Sequence, residues 1–242
     1  MLCLNLQAPF AAFRTFTAGS FRPTAEFITP SAAYGLLLNV AGIEMRQKDE
    51  NQPMTLIKKD LPRFRLALGA VSFPAQHSIY QQLHNYLVGG KDKIPDPFSP
   101  DKEITKEEEG YRRCKGSKYN VTPVRRAFLS DLRAYVCIDG NDEIEARIIE
   151  GLKGNSLRTY GLPFLGDNNF LIDKLEPVES PSEAYWFVPF SSGQEEGLRE
   201  HVTRLTISID RADMSQTRSA LFAPTEKPST EPPESAWVEV GY

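Results

Sequence analysis

The stretch Phe13–Ile43, FRTFTAGSFRPTAEFITPSAAYGLLLNVAGI, limits the possible folds more than any other part of the chain. It carries two arginines through a loop containing Gly, Thr and Pro, then becomes the most apolar helix candidate in the protein. Thr29 stands in the N-cap place and Pro30 in the first helical position, where its missing N–H costs nothing and its φ is already helical. Ala32, Ala33, Leu36, Leu37, Val40 and Ile43 then recur at helical spacing and form one broad apolar face. A face that wide must be buried, and the small Ala and Gly residues let a sheet approach closely. Arg14 and Arg22 are left near solvent or an anion. The expectation is a buried helix that holds a polar loop in place, and function is expected in that loop.

The rest of the pattern supplies a sheet. Met1–Leu6 alternates, with Leu2, Leu4 and Leu6 on one face and Cys3 and Asn5 on the other, and Pro9 is expected to end the strand. Residues 10–28 read as an ordered loop or irregular hairpin. Arg63–Val71 and Val124–Ile138 read as strands, and Asp139–Gly140 as a turn. Asn141 is a good cap for a helix over Asp142–Leu152, in which Ile144, Ile148, Ile149 and Leu152 form the buried stripe. Phe170–Leu175, Ala184–Phe190 and His201–Ile209 read as further strands, with Tyr185, Trp186 and Phe187 as core or partner-contact surface. Gln76–Val88 fits a short helix or an extended arm equally well. Gly89–Gly116, broken by Pro95, Pro97 and Pro100, reads as a projecting loop or arm whose tip orders on binding. The run PTEKPSTEPPE, Pro224–Glu234, reads as an exposed, extended tail, with Trp237 and Val238 docking back. The order strand, helix, strand, long insertion, strand, helix, strand and further strands makes two βαβ-like halves with helices on one side. That points to an α+β, ferredoxin-like core. A doubly wound α/β fold is the rival, but its evenly spaced strand–helix units are missing.

At 242 residues and 40% hydrophobic composition, the chain can bury one large core or two modest ones. A net charge of −4 argues against a general nucleic-acid binder, but the charge is uneven. Residues 111–133 hold seven cations, Arg112, Arg113, Lys115, Lys118, Arg125, Arg126 and Arg133, against Asp131 alone. Tyr111 and Tyr119 lie among them and are suited to stack on unpaired bases; a solvated surface is the plainer reading. Cys3, Cys114 and Cys137 are scattered, with no CxxC pair or Cys/His cluster, so neither a metal nor a cofactor is expected. Asp139, Asp142, Glu143 and Glu145 sit at a helix start, where they complement the dipole. The scattered thiols, the lack of a signal-peptide pattern and the absence of an apolar run near the ~18 residues of a spanning helix lead to an expectation of a soluble, cytoplasmic protein.

The opening strand, the FR of the loop and the PSAAYGLLLNVAGI segment resemble the amino-terminal signature of the fifth CRISPR-associated protein family, over about residues 1–45. The likeness lies in Pro-Ser, two intervening residues, Tyr-Gly-Leu-Leu and Gly42. YGLPFLGDNNF, Tyr160–Phe170, resembles the glycine-bearing segment that follows the second core helix, and the insertion stands where family members carry a thumb. The resemblance implies a ferredoxin-like or RNA-recognition-like palm over 1–75 and 123–222, with additional C-terminal β-strands. It also implies a long inserted thumb over 76–122, with an extended tail over 223–242.

It further implies a noncatalytic subunit of a type I CRISPR surveillance complex that caps the 5′ handle of the crRNA. Such a subunit contacts the repeated backbone subunit and the large PAM-recognising subunit, and meets target DNA through the assembled complex. Arg14 and Arg22, as guanidinium forks, would hold phosphates, or else pair with Glu26 or Glu44. Gly19 and Ser20 would offer backbone and hydroxyl donors, and Arg158 and Tyr160 a further RNA contact. Tyr34 is assigned to core or partner interface. One family branch cuts precursor crRNA without a metal, but no Tyr/His/Lys set maps onto this chain. His77, His84 and His201 are expected in surface or packing roles. A crRNA-processing endoribonuclease and a purely structural adaptor are the alternatives.

Overall fold

The computed structural model describes residues 1–15, 21–47, 56–84, 92–113, 121–157, 161–190 and 200–242, without the side chains of 82–84, 110–113 and 121–122. In chain order the elements are β1 (Leu2–Ala11), β2 (Phe21–Arg22), α1 (Pro30–Val40), β3 (Phe64–Ser72), β4 (Ala75–His84), β5 (Lys93–Asp96), β6 (Ser99–Thr105), α2 (Lys106–Arg113) and β7 (Val121–Asp139). They continue with α3 (Asp142–Leu152), β8 (Lys174–Pro177), β9 (Tyr185–Phe190), β10 (Thr203–Ser208), β11 (Arg218–Pro224) and β12 (Val238–Val240). Two compact units result. One holds Met1–Phe16, Pro23–His77 and Ala127–Tyr242; the other holds Thr17–Arg22 and Ser78–Arg126.

The first unit contains the sheet order β10-β11-β9-β3-β7-β1-β8. Its centre, β8-β1-β7-β3, is antiparallel at every pairing. With α1 after β1 and α3 after β7, this is the β-α-β-β-α-β arrangement expected for the palm, interrupted between β3 and β7. Alternation puts Leu4, Leu6 and Ala8 of β1 and Leu132, Ala134, Val136 and Ile138 of β7 into one core with both helices.

The Thr29 hydroxyl accepts a hydrogen bond from Ala32 N (3.1 Å), as its N-cap place demands, and Asn141 does the same for Ile144 N (3.1 Å). Helix α1 buries Ala33, Tyr34, Leu36, Leu37, Leu38 and Val40, so nearly its whole circumference lies in the core. It meets α3 backbone to backbone: a Cβ on Gly151 would stand 1.9 Å from the Val40 carbonyl oxygen.

Pro9 does not end β1. The ladder skips it opposite Asp131 and resumes at Phe10 with Ser130. Asp131 is left-handed (φ 54°), and the alternation changes phase there, since Leu132 and Leu129 both enter the core. Ser130 comes within 2.8 Å of His77, and Phe128 packs edge-on to Phe10 at 5.7 Å between ring centres.

A second, smaller core lies on the other face of the sheet, made by Tyr135, Ala67, Ala184, Trp186 and Ala236. It includes a pair that wide sequence spacing conceals. Cys3 and Cys137 stand opposite each other in the β1–β7 ladder, their Cα atoms 4.0 Å apart, joined as a disulfide. Strand register brings together two cysteines that are scattered in the sequence.

The proline-rich end, expected as an exposed, extended tail with Trp237 and Val238 docking back, is tied down at Ser229, Glu234 and Trp237, while Glu226, Lys227 and Glu231 are exposed. Trp186 Nε1 donates to the Ser229 carbonyl (3.1 Å), and Ala184 bridges to Ser229. Arg65 hydrogen-bonds both Asp139 and Glu234 and lies over the Trp237 ring at 5.3 Å. The Arg65 bond holds the Asp139 carboxyl below the usual aspartate range. Between Pro224 and Glu234 the prolines leave only the single Ala184–Ser229 bridge, but they do not keep the segment out of side-chain contact.

The second unit has the β5–β6 hairpin and the short helix α2. Thr105 and Glu108 form a reciprocal cap at the start of α2, with Glu108 N donating to Thr105 Oγ1 (3.1 Å) and Thr105 N to Glu108 Oε2 (2.8 Å).

Candidate nucleic-acid interface

Strand β2 is two residues long and pairs in parallel with β7, Phe21 with Arg125 and Arg22 with Arg126. That register sets three of the cations expected to hold RNA on neighbouring strands of the second unit, though two of them lie more than 100 positions from the third. The Arg125 guanidinium lies over the Phe21 ring at 5.2 Å, and its Nε donates to Ser78 Oγ (3.2 Å). Phe21, Arg22 and Arg125 are all exposed.

Arg126 behaves differently. It is buried, and its Nη1 donates to Gln81 Oε1 (3.2 Å). A buried guanidinium is tolerated only when its donors are engaged, so Arg126 ties β7 to β4 while its neighbour faces outward. The patch therefore offers exposed cations, donors fixed by a hydroxyl, and the π surface of Phe21. Cations over or beside an aromatic ring suit a sugar-phosphate backbone with unstacked bases.

The other expected residues fall as follows. Arg14 belongs to the first unit, exposed, in an isolated bridge with Thr24. The two legs of its loop are stitched together by Ala25 N to Phe13 O (2.8 Å) and Phe13 N to Thr24 Oγ1 (2.8 Å). Tyr111, Arg112 and Arg113 form the last turn of α2, their side chains outside the described set. Gly19, Ser20, Lys115, Lys118, Tyr119, Arg158 and Tyr160 lie outside the described residues.

Tyr34 belongs to the core rather than to an interface. It is 1% exposed, its hydroxyl donates to the Pro62 carbonyl (2.9 Å), and its ring packs near Phe64 and Tyr242. Burial pushes its phenol above the ordinary tyrosine range. Sequence reasoning passed over Phe21, Ser78 and Gln81, which hold the arginines. The FR dipeptide at 21–22 was the visible signal for the first of them.

His77 shares a hydrogen bond with Ser130 and stacks on Phe128, whereas His201 lies flat against Phe73. Among the described residues no group of three His, Cys, Asp or Glu side chains is placed to hold a metal ion, and no helix is long and apolar enough to cross a membrane.

Comparison with known proteins bears on this fold. One solved structure, described as a CRISPR RNA-guided surveillance complex, is similar at a TM-score of 0.53 and 13% identity, covering 97% of this chain and 95% of the other. A second, described as the crystal structure of a Cas protein, gives a TM-score of 0.48 at 14% identity, covering 96% and 99% of the two chains. No curated protein matches. At such identity the first similarity speaks for the fold alone. The family described as CRISPR-associated protein (Cas_Cas5) matches residues 1–216, nine-tenths of the sequence. By that match, the chain belongs to the Cas_Cas5 family of CRISPR-associated proteins.

Proposed function

We propose that this chain is a noncatalytic subunit of a type I CRISPR RNA-guided complex that binds and caps the 5′ handle of the crRNA. In that role it contacts the repeated backbone subunit and the large PAM-recognising subunit, and works where such complexes assemble, in the cytoplasm. Family membership supplies the setting. The observation that carries RNA contact is the exposed Arg125 guanidinium lying over the ring of Phe21, with the exposed Arg22 next to Phe21 in the same short strand. Phosphate contacts position a strand without reading it, which fits a subunit that leaves sequence recognition to guide pairing.

The test is crRNA retention by the assembled complex carrying Arg22→Ala and Arg125→Ala. Arg126 is left unchanged because its burial gives it a structural task. Loss of two phosphate contacts is expected to weaken retention about tenfold and to flatten the dependence of log K on log salt by roughly 1.4. Retention that matches the unaltered complex at every salt concentration removes this patch from RNA binding. For the noncatalytic half of the reading, purified protein is incubated with repeat RNA and a chelator. The RNA is expected to stay intact, and one discrete cut would instead make the protein a processing endoribonuclease.

A further inference from the structure

The first unit contains a pocket of about 200 Å³ that the arginine patch does not use. Leu129 and Phe187, both fully buried, line it together with Phe73 and Pro74. Two exposed residues with polar side chains, Glu26 and Gln76, complete the lining with His201. His201 holds a left-handed backbone (φ 58°), which is unfavourable for any residue with a Cβ. Its ring is stacked on Phe73, centres 3.8 Å apart and 10° from parallel. Strain of this kind persists where the surroundings impose it, and it gathers at ligand sites.

We propose that this pocket receives one unpaired guanine base of the bound RNA, a proposal that rests on the RNA-binding reading above. At about 30 Å³ per water, the space equals roughly seven water volumes, room for one planar heterocycle but not for its sugar and phosphate as well. Aromatic and apolar walls suit the faces of a base. The polar groups choose which base. Guanine presents two adjacent donors, N1–H and the N2 amino group, to a single partner, and a carboxylate accepts both in parallel. Adenine and cytosine offer one amino donor beside a ring-nitrogen acceptor, and uracil one N3–H between two carbonyls, so each gives the carboxylate a single hydrogen bond and sets an acceptor against its other oxygen. The Gln76 amide supplies a donor for guanine O6. An arginine of a partner protein also presents paired donors, but it has no acceptor with which to use that N–H.

The probe is a fluorescently labelled U8 RNA, compared with the same octamer bearing one central G or one central A. Affinity for the purified chain is measured by anisotropy at a single salt concentration. The G octamer is expected to bind about tenfold more tightly than the other two. Glu26→Gln, which replaces one carboxylate acceptor by an amino group, lowers the G octamer to the affinity of the A octamer. Thermal melting of E26Q alongside the parent confirms that the comparison is between folded proteins.

Arg22→Ala with Arg125→Ala weakens all three octamers alike. Equal affinity for G and A, or a G preference that survives E26Q, overturns the guanine pocket while leaving RNA binding intact. Failure of every octamer to bind overturns both. Glu26-dependent binding of N-acetylargininamide without any base preference assigns the pocket to a protein partner and also overturns the proposal.

Discussion

Replacing Gly166 by alanine is expected to destabilise the first unit by about 3 kcal/mol, the sum of two effects that act at the same atom. Gly166 is left-handed (φ +86°), a conformation that costs a residue with a Cβ roughly 1–2 kcal/mol. The added carbon would also stand 1.6 Å from the Ala12 carbonyl oxygen, well inside contact distance. The loop cannot simply retreat, because Ala12 N donates to the Leu165 carbonyl at 2.9 Å and fixes the approach. Overpacking of this kind costs about 1–3 kcal/mol more. For a chain of this size the loss reads as a Tm lowered by roughly 6–12 °C. Gly161 is the control: nothing lies within 4 Å of its would-be Cβ, and Gly161→Ala should shift stability by less than about 0.5 kcal/mol. Equal melting of the two variants would mean that the loop does not dock against Ala12.

Trp186→Ala should cost about 3–5 kcal/mol, the upper range for emptying a core aromatic site. The side chain is 0% exposed, its indole N–H is held by the Ser229 carbonyl, and its ring lies so close over Gly69 that a Cβ there would be 2.9 Å away. The last contact makes the prediction specific. Gly69→Ala should destabilise the protein by about 1–3 kcal/mol while Trp186 is present and by much less once it is alanine. A double-mutant cycle by denaturant unfolding measures that coupling, and simple additivity would refute the stacking of Trp186 on the β3 backbone.

The two helices of the palm could be read from single residues. Thr29 with Pro30, and Asn141 before Asp142, are local signals whose physics is complete within a few positions. The same holds for the alternating strands, whose order followed from counting helices between them. The reciprocal cap of Thr105 and Glu108 was just as local, yet the surrounding charge and prolines led Gly89–Gly116 to be read as a loop.

What stayed hidden depends on partners far away in sequence. Nothing near Cys3 announces Cys137, and nothing near Phe21 announces Arg125. Both pairs are consequences of strand register. The division of labour between Arg125 and Arg126 was also beyond periodicity, since adjacent cations look alike until one of them is buried. Tyr34 allowed two readings because an amphipathic ring suits core and interface equally; the Pro62 carbonyl that receives its hydroxyl decides for the core.

The outer edge of β3 is covered in two instalments, by β9 at Gly69–Ala70 and by β12 at Phe64–Leu66. The second instalment depends on the proline-rich run that precedes it, which looks like the natural place to shorten the chain for expression. A fragment trimmed there would leave the backbone groups beside Phe64–Leu66 open to pairing with another copy, and an open strand edge is a template for aggregation. The prolines, unable to donate along a ladder, deliver Val238–Val240 to that edge without extending a strand of their own. What reads as an exposed, extended tail thus carries the strand that covers this edge, and shortened versions should be judged first by whether they stay monodisperse.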